Sequence, residues 1–327
     1  VGGWVLKKIN PADEQVGRWA DGQVYTVRYI IFLLLIRSLL PGLCFAQAGQ
    51  TGMAFLKIGV GTRAAGMGNA ATAIVDDASA LFWNPARITA IKGFDAIFIH
   101  TNWFQDVSHE FIGIVVSNGV SSVGLGFTIM SVDGIERRTN TPSQQPLATF
   151  NAYDVVLSGS YARRITETVS AGITLKGLSE KILFETASGV AFDLGVAYQG
   201  LNQGLILAGT IRNIGPQMSF IREKFDLPRE FRVGTGYKPP IDLFQDRVLI
   251  SADISKYKGE PIRLNMGSEY TYQQRFSIMI GYQTRQDQSG FTTGFRAQFH
   301  PYRIDYAFVP FSAGLGNTHR FAIGIRW

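Results

Sequence analysis

The chain has a single cysteine, four histidines and few charges, and each scarcity excludes a class of function. Cys44 alone permits no internal disulfide, and no C-x-x-C or H-x-x-x-H spacing offers a ligand set, so neither metal nor cofactor is expected. G-x-S-x-G is also missing. His100, His109, His300 and His319 fall on separate segment ends or loops, so no nucleophile–base pair is assembled and the chain is expected not to be an enzyme. His100, beside Thr101 and Asn102, comes nearest to a lipase-like pair and reads instead as an interfacial polar residue. Charged residues make up 17% of 327, below the roughly 25% of soluble domains. The net charge of +6 comes without any run of Lys or Arg, which excludes a nucleic-acid arm. Long hydrophobic runs are missing except one, Tyr29 to Ala46. It follows a basic residue, Arg28, is too short to stop in a bilayer, and ends in the small-x-small run Cys44-Phe45-Ala46. Residues 27–46 therefore read as a signal peptide, and residues 1–26 as an upstream extension or leader.

What is abundant is glycine (36 residues), aromatics (12%) and a period of two. In Val169 to Lys176, Val169, Ala171, Ile173 and Leu175 point one way and Ser170, Gly172, Thr174 and Lys176 the other. The same alternation recurs from residue 93 to the end. About fourteen segments of about ten residues centre near 99, 113, 126, 157, 173, 195, 209, 233, 251, 267, 279, 295, 306 and 322. About ten residues is the length a tilted strand needs to cross a bilayer.

The hydrophilic face decides between a sandwich and a barrel. It carries Asp154, Lys176, Asp193, Arg232, Asp253, Arg263, Glu269, Arg275, Arg296, Arg303, Asp305 and Arg320, with both signs mixed among Gly, Ser and Thr. Such a set suits a narrow wet lumen where charges pair. Aromatics such as Tyr153, Tyr161, Tyr237, Tyr270, Tyr282 and Tyr302 sit near segment ends on the apolar face, as in a membrane girdle. Strands in lipid must close on themselves. The expected fold is all-β: a closed antiparallel transmembrane barrel over residues 93–327, in an outer membrane.

Connections alternate between short ones, such as Ser117–Gly119 and His300-Pro301, and longer ones, notably Ser131 to Phe150 and Ile214 to Pro228. That is the layout of short periplasmic turns and longer outer loops. Phe321 and the terminal Trp327 look like the closing aromatic signal read by the barrel-assembly machinery.

Residues 47–92 lack the alternation. Ala54 to Gly59 reads as a short strand, Thr62 to Gly66 and Asp77 to Trp83 as helical turns, the second stopped by Asn84-Pro85. Gly59-Val-Gly61-Thr-Arg-Ala64 matches G-x-G-x-x-A. Because an antiparallel meander follows it rather than βαβ units, nucleotide binding is not expected. The small residues, Gly66 and Gly68 among them, suit tight packing inside a barrel, with Asp76 and Asp77 placed to pair with lumen arginines.

The stretch Gly61-Thr-Arg-Ala-Ala-Gly-Met-Gly68, followed by Asp76-Asp77-Ala-Ser-Ala-Leu-Phe-Trp83-Asn84-Pro85-Ala86, closely resembles the N-terminal signature of the PorV/PorQ family, a branch of the FadL-like outer-membrane proteins. The likeness continues through the hairpin Asp305 to Phe321. It implies a fourteen-stranded barrel with the N-terminal segment folded into the lumen as a plug containing Asn84, Pro85 and Ala86. It also implies a role in type IX secretion, with secretion components and the C-terminal domains of exported cargo as partners. The chain has few loops long enough for a ligand funnel, so uptake of hydrophobic small molecules stands as the alternative, and an open porin as the remotest.

Overall fold

In the computed structural model, residues 51–103, 107–140, 144–200, 204–221, 223–240, 246–284, 290–311 and 316–327 are described; residues 1–26 and 27–46, expected to be a leader and a signal peptide, lie outside them. Among the described residues, sixteen strands follow a short helical segment. They are β1 (Gly93–Asn102), β2 (Val107–Ser117), β3 (Ser121–Arg137), β4 (Ala148–Arg164), β5 (Val169–Ile182), β6 (Glu185–Gln199), β7 (Leu205–Ile214), β8 (Met218–Phe220), β9 (Glu223–Phe225), β10 (Glu230–Tyr237), β11 (Arg247–Tyr257), β12 (Arg263–Tyr272), β13 (Phe276–Gln283), β14 (Phe291–Phe299), β15 (Tyr302–Pro310) and β16 (Asn317–Arg326). Fourteen of them form one closed antiparallel barrel. β1 pairs with β16 to remove the last edge, while β8 and β9 form a separate hairpin between β7 and β10. All fourteen expected centres fall within barrel strands.

Closure follows from the pleat. Leu125 (65% exposed), Leu157 (61%), Val233 (67%) and Ile304 (60%) face outward, while their neighbours Gly126, Ser158, Arg232 and Arg303 face the lumen. Such a greasy exterior is incompatible with water and matches a hydrocarbon surround. No described helix is long and apolar enough to cross a membrane, so strands make the crossing. Both chain ends of the barrel lie at the short-turn rim, where Phe94 and Trp327 exchange backbone hydrogen bonds. By the usual orientation that rim is periplasmic.

The lumen departs from the expected uniform polarity. Ile97 and Ile99 of β1, Phe111 and Val115 of β2, Val156 of β4 and Leu178 of β5 all point inward and are buried. They pack on Phe55, Leu56, Val60, Leu81 and Trp83 of the N-terminal segment. One side of the interior is therefore largely an apolar core, with Asp95 and the Lys176–Asp193 pair as its buried charges, while the side from β7 to β16 is densely ionic. Two further corrections concern local structure. Ala54–Lys57 is a 3-10 turn rather than a strand, with Met53 before it at φ 50°; its apolar side chains pack on wall residues instead of its backbone pairing in a sheet. Half of the long connection Ser131 to Phe150 is strand, since β3 and β4 each run 17 residues and shift register between Val132 and Ile135.

Candidate functional site

Residues 51–92 touch the inward faces of strands around the barrel, and nearly every residue between Val60 and Thr89 is buried. A short irregular segment cannot satisfy its own backbone, and unpaired buried amides are costly, so partners must come from elsewhere. The wall supplies them. Asp253 Oδ2 accepts the N–H groups of Ala71 and Thr72 and the Thr72 hydroxyl, at 3.0, 3.0 and 2.6 Å. Asp95 Oδ1 accepts Ala78 N–H at 2.8 Å. Thr292 Oγ1 accepts from Gly68 N and donates to Gly66 O, each at 3.1 Å. Asn265 donates to Gly68 O at 2.6 Å, Arg232 to Asn69 O at 2.8 Å, Arg212 to Phe82 O at 2.8 Å, and Arg326 to Asp76 O at 2.6 Å. The lumen charges thus do more than neutralise one another: they replace the backbone partners that a helix or sheet would have provided.

Each clamp is itself charge-balanced, as burial requires. Glu230 binds Arg212 and Arg232, and Arg232 also reaches Asp253 at 3.1 Å. Lys176 pairs with Asp193 at 2.7 Å. Arg296 pairs with Asp305 at 2.7 Å and with Asp77 at 3.3 Å, and Arg303 lies 3.7 Å from Asp77. Asp77 thereby meets wall arginines. Asp76 instead pairs with Arg63 of its own segment, and Arg63 goes on to Glu269. Burial alone raises the Asp77 carboxyl, but Arg303 and Arg296 outweigh it and hold the group down at about 2.

The Asn84-Pro85-Ala86 turn has a specific seat. Asn84 Oδ1 accepts Ala86 N–H at 3.0 Å and caps a 3-10 helix, Pro85–Ala90, that opens on the proline. Its amide nitrogen donates to Thr72 O and to Val196 O of the wall, both at 3.3 Å. The wall beneath is glycine. A Cβ on Gly195 would stand 2.0 Å from Asn84 Oδ1, and one on Gly172 2.6 Å from the Pro85 carbonyl carbon. Gly281 likewise leaves room for Gly68, and Gly294 for Gly66. Trp83 is buried, donates from Nε1 to Val60 O at 2.7 Å, and lies 4.9 Å from the Arg232 guanidinium. In the Gly59–Ala64 run, Gly59 makes room for the Trp83 ring and Gly61 adopts φ 92°.

Three expected lumen charges sit apart from these clamps. Asp154 faces inward, half-buried, without a salt bridge among the described residues. Arg263 pairs with Glu260 near the loop rim. Arg275 is exposed in the β12–β13 turn, because the strand ends at Tyr272, and it lines the lumen only at the short-turn mouth, on the cavity shared with Glu269. Arg320 is buried and donates to Gly59 O. The sequence reading passed over Asp95, Arg212, Glu230 and Thr292. Asp95 is hidden by inward Ile97 and Ile99, which break the polar pattern of its face; Arg212 and Glu230 sit near strand ends, where alternation is short.

On either side of the inner segment lies a cavity. The one towards the loops is about 180 Å³, and the one towards the short turns about 230 Å³ with Arg63, Lys238, Arg247, Arg275, Arg296 and Arg326 around Asp76 and Glu269.

A barrel filled from within by its own N-terminal segment, seated by an Asp-Asp and Asn-Pro-Ala signature, is matched by a protein-family model. The model, described as type IX secretion system protein PorV, covers residues 46–259. The chain belongs to the PorV family. Solved structures agree on the barrel. It is similar to the toluene transporter TbuX of Ralstonia pickettii (TM-score 0.57, 15% identity, 82% of this chain and 98% of that one). It is also similar to the toluene transporter TodX of Pseudomonas putida (0.58, 13%, 81% and 96%) and to a FadL homologue of Pseudomonas aeruginosa (0.52, 14%, 81% and 97%). At these identities the likeness is one of fold. Among curated proteins no sequence matches. This PorV-family chain is thus an outer-membrane barrel of a Gram-negative-type bacterium, associated with type IX secretion.

Proposed function

We propose that this PorV-family barrel is a plugged, non-catalytic receptor that holds exported proteins at the outer surface through their C-terminal domains and hands them on within the secretion system. The family match carries this reading. The loop side supports it. The β3–β4 hairpin and the Ile214–Pro228 excursion with its β8–β9 hairpin present Leu147 and Ile221 strongly exposed, and Phe184 projects from the neighbouring β5–β6 turn. Apolar tips in water are the usual mark of a docking surface. The cavities beside the plug are lined chiefly by charged and amide groups, which offer little to an apolar small molecule. The exposed outward Trp327, its ring centre 5.1 Å from that of Phe94 and tilted against it, is the feature we assign to recognition by the barrel-assembly machinery.

The test is capture of a cargo C-terminal domain, and of translocon components, by the tagged barrel from native membranes. Co-purification of both is expected. Purification free of both under conditions that keep the translocon intact overturns the reading.

A further inference from the structure

The cavity towards the short turns carries more positive charge than its own acids neutralise. Six cationic side chains line it against two carboxylates, Asp76 and Glu269. Arg63 takes both of these, at 3.0 and 2.6 Å, while Arg296 and Arg326 turn to Asp305 and Asp95, each at 2.7 Å. Lys238, Arg247 and Arg275 are left over. Among the described residues, none of the three has a carboxylate within salt-bridge distance or a side-chain hydrogen bond.

The sheet fixes where these three stand. Lys238 N–H donates to Gly204 O at 2.9 Å, which carries the pairing one residue past the end of β10. Arg247 opens β11 opposite Thr271, and Arg275 O accepts the Gln298 N–H at 2.7 Å. Alternation puts Lys238 on the face of Gly236, which backs on Ile74, and Arg247 on the face of Leu249, which packs in the lumen. All three are exposed to water at the mouth, so an incoming group can reach them. A concave site lined by one sign of charge focuses its field and draws in the opposite charge.

The spread of the trio selects the kind of anion. Lys238 belongs to β10, Arg247 to β11 and Arg275 to the turn between β12 and β13, which are successive in the barrel. Strands lie about 4.8 Å apart, so the arc covers about 12 Å. A single phosphate or carboxylate is too small to meet all of it. Acidic side chains on alternate residues of an extended chain recur about every 7 Å along one side, and three of them match the arc. Gln274 and Gln298 stand among the cations and offer amide groups to the backbone of such a chain. Lipid headgroups lie outside the wall, whereas this cavity is on its inner side.

We propose that the short-turn mouth of this barrel is a docking site for an extended acidic segment of a periplasmic polypeptide, with Lys238, Arg247 and Arg275 each receiving a carboxylate. The site is on the opposite rim from the cargo loops and stands without the secretion reading.

The folded barrel in detergent is titrated, by fluorescence anisotropy, with a dye-labelled peptide carrying glutamate at alternate positions and with its glutamine counterpart. The acidic peptide is expected to bind at least tenfold more tightly at low salt, with the preference shrinking as salt screens it. The triple variant Lys238→Gln, Arg247→Gln, Arg275→Gln is expected to lose the preference. The control Lys92→Gln, Arg163→Gln, Arg164→Gln removes the same charge from exposed positions at the same rim but outside the cavity, and is expected to keep it. Heat-modifiable migration on gels establishes that each variant is a folded barrel; if the triple variant is not, Lys238→Gln and Arg275→Gln singly carry the test, each weakening the acidic peptide at least threefold. Equal binding of the two peptides, no binding of either at millimolar concentration, or equal loss in the control overturns the assignment. Inorganic phosphate or short-chain phosphatidylglycerol displacing the peptide at equal concentration overturns the polypeptide part. Cargo capture is expected to persist in the triple variant, and its loss there would overturn the separateness of the two sites.

Discussion

Single residues fix the inner segment through two devices, and each makes a prediction. The first is the absent side chain. Gly281 faces inward against Gly68, and a Cβ there would stand 2.0 Å from the Gly68 nitrogen. Gly281→Val is expected to destabilise the seating by about 1–3 kcal/mol or more, since backbone cannot give way as a side chain can. Gly159→Ala, whose added carbon would meet only Leu125 at 3.9 Å, serves as the neutral control. Protease cleavage within residues 51–92 of the folded barrel reads the difference. The second device is the buried ion pair. Asp77 has its pKa depressed from 3.8 to about 2, so its stabilising contribution is fully present above 3.8 and fades as pH falls through 2. The shift corresponds to about 2 kcal/mol. Protease protection of the segment in the purified barrel is expected to hold down to pH 4 and weaken towards pH 2, and Asp77→Asn to show a smaller acid step.

Among elements, the N-terminal segment and the loop-side hairpins make separable contributions. Deleting residues 54–86 is expected to raise single-channel conductance, because the inner segment occupies the middle of the lumen; unchanged conductance would show that these residues do not close it. Trimming the β3–β4 hairpin beyond the Val132–Ala152 pair is expected to remove cargo capture and leave heat-modifiable migration intact. The excised pairs lie past the register shift, outside the continuous ladder. The alternation made the strands legible, but not these hairpins. An extended β3 and β4 carry mixed polarity because both their faces leave the bilayer there, and a sheet with water on both sides has no period to read.

The whole molecule is a sheet that meets lipid outside and its own chain inside. Its purification is therefore expected to require detergent, with aggregation on detergent removal. A freely soluble monomer would contradict the outward placement of Leu125, Leu157 and Val233. The interior explains why the polar face looked like a wet lumen. Asp253, Arg232, Arg212 and Asp95 are polar because a buried, coiled segment of backbone must be fed hydrogen bonds, and the apolar inward residues of β1 to β6 answer Phe55, Leu56 and Trp83.

Local order was therefore written in the chain: the strand positions, their number, the side each residue faces, and the short helical turns around Asn84-Pro85. These depend on neighbours two to four residues apart, and periodicity records them. Which charge meets which amide, why ten-residue strands carry inward glycines, and how Lys238, Arg247 and Arg275 come to share one cavity with Arg63 and Asp76 depend on residues separated by up to 261 positions. Only closure of the barrel around its own N-terminal segment brings them together, because the register between β1 and β16 sets which inward side chains stand at the same depth.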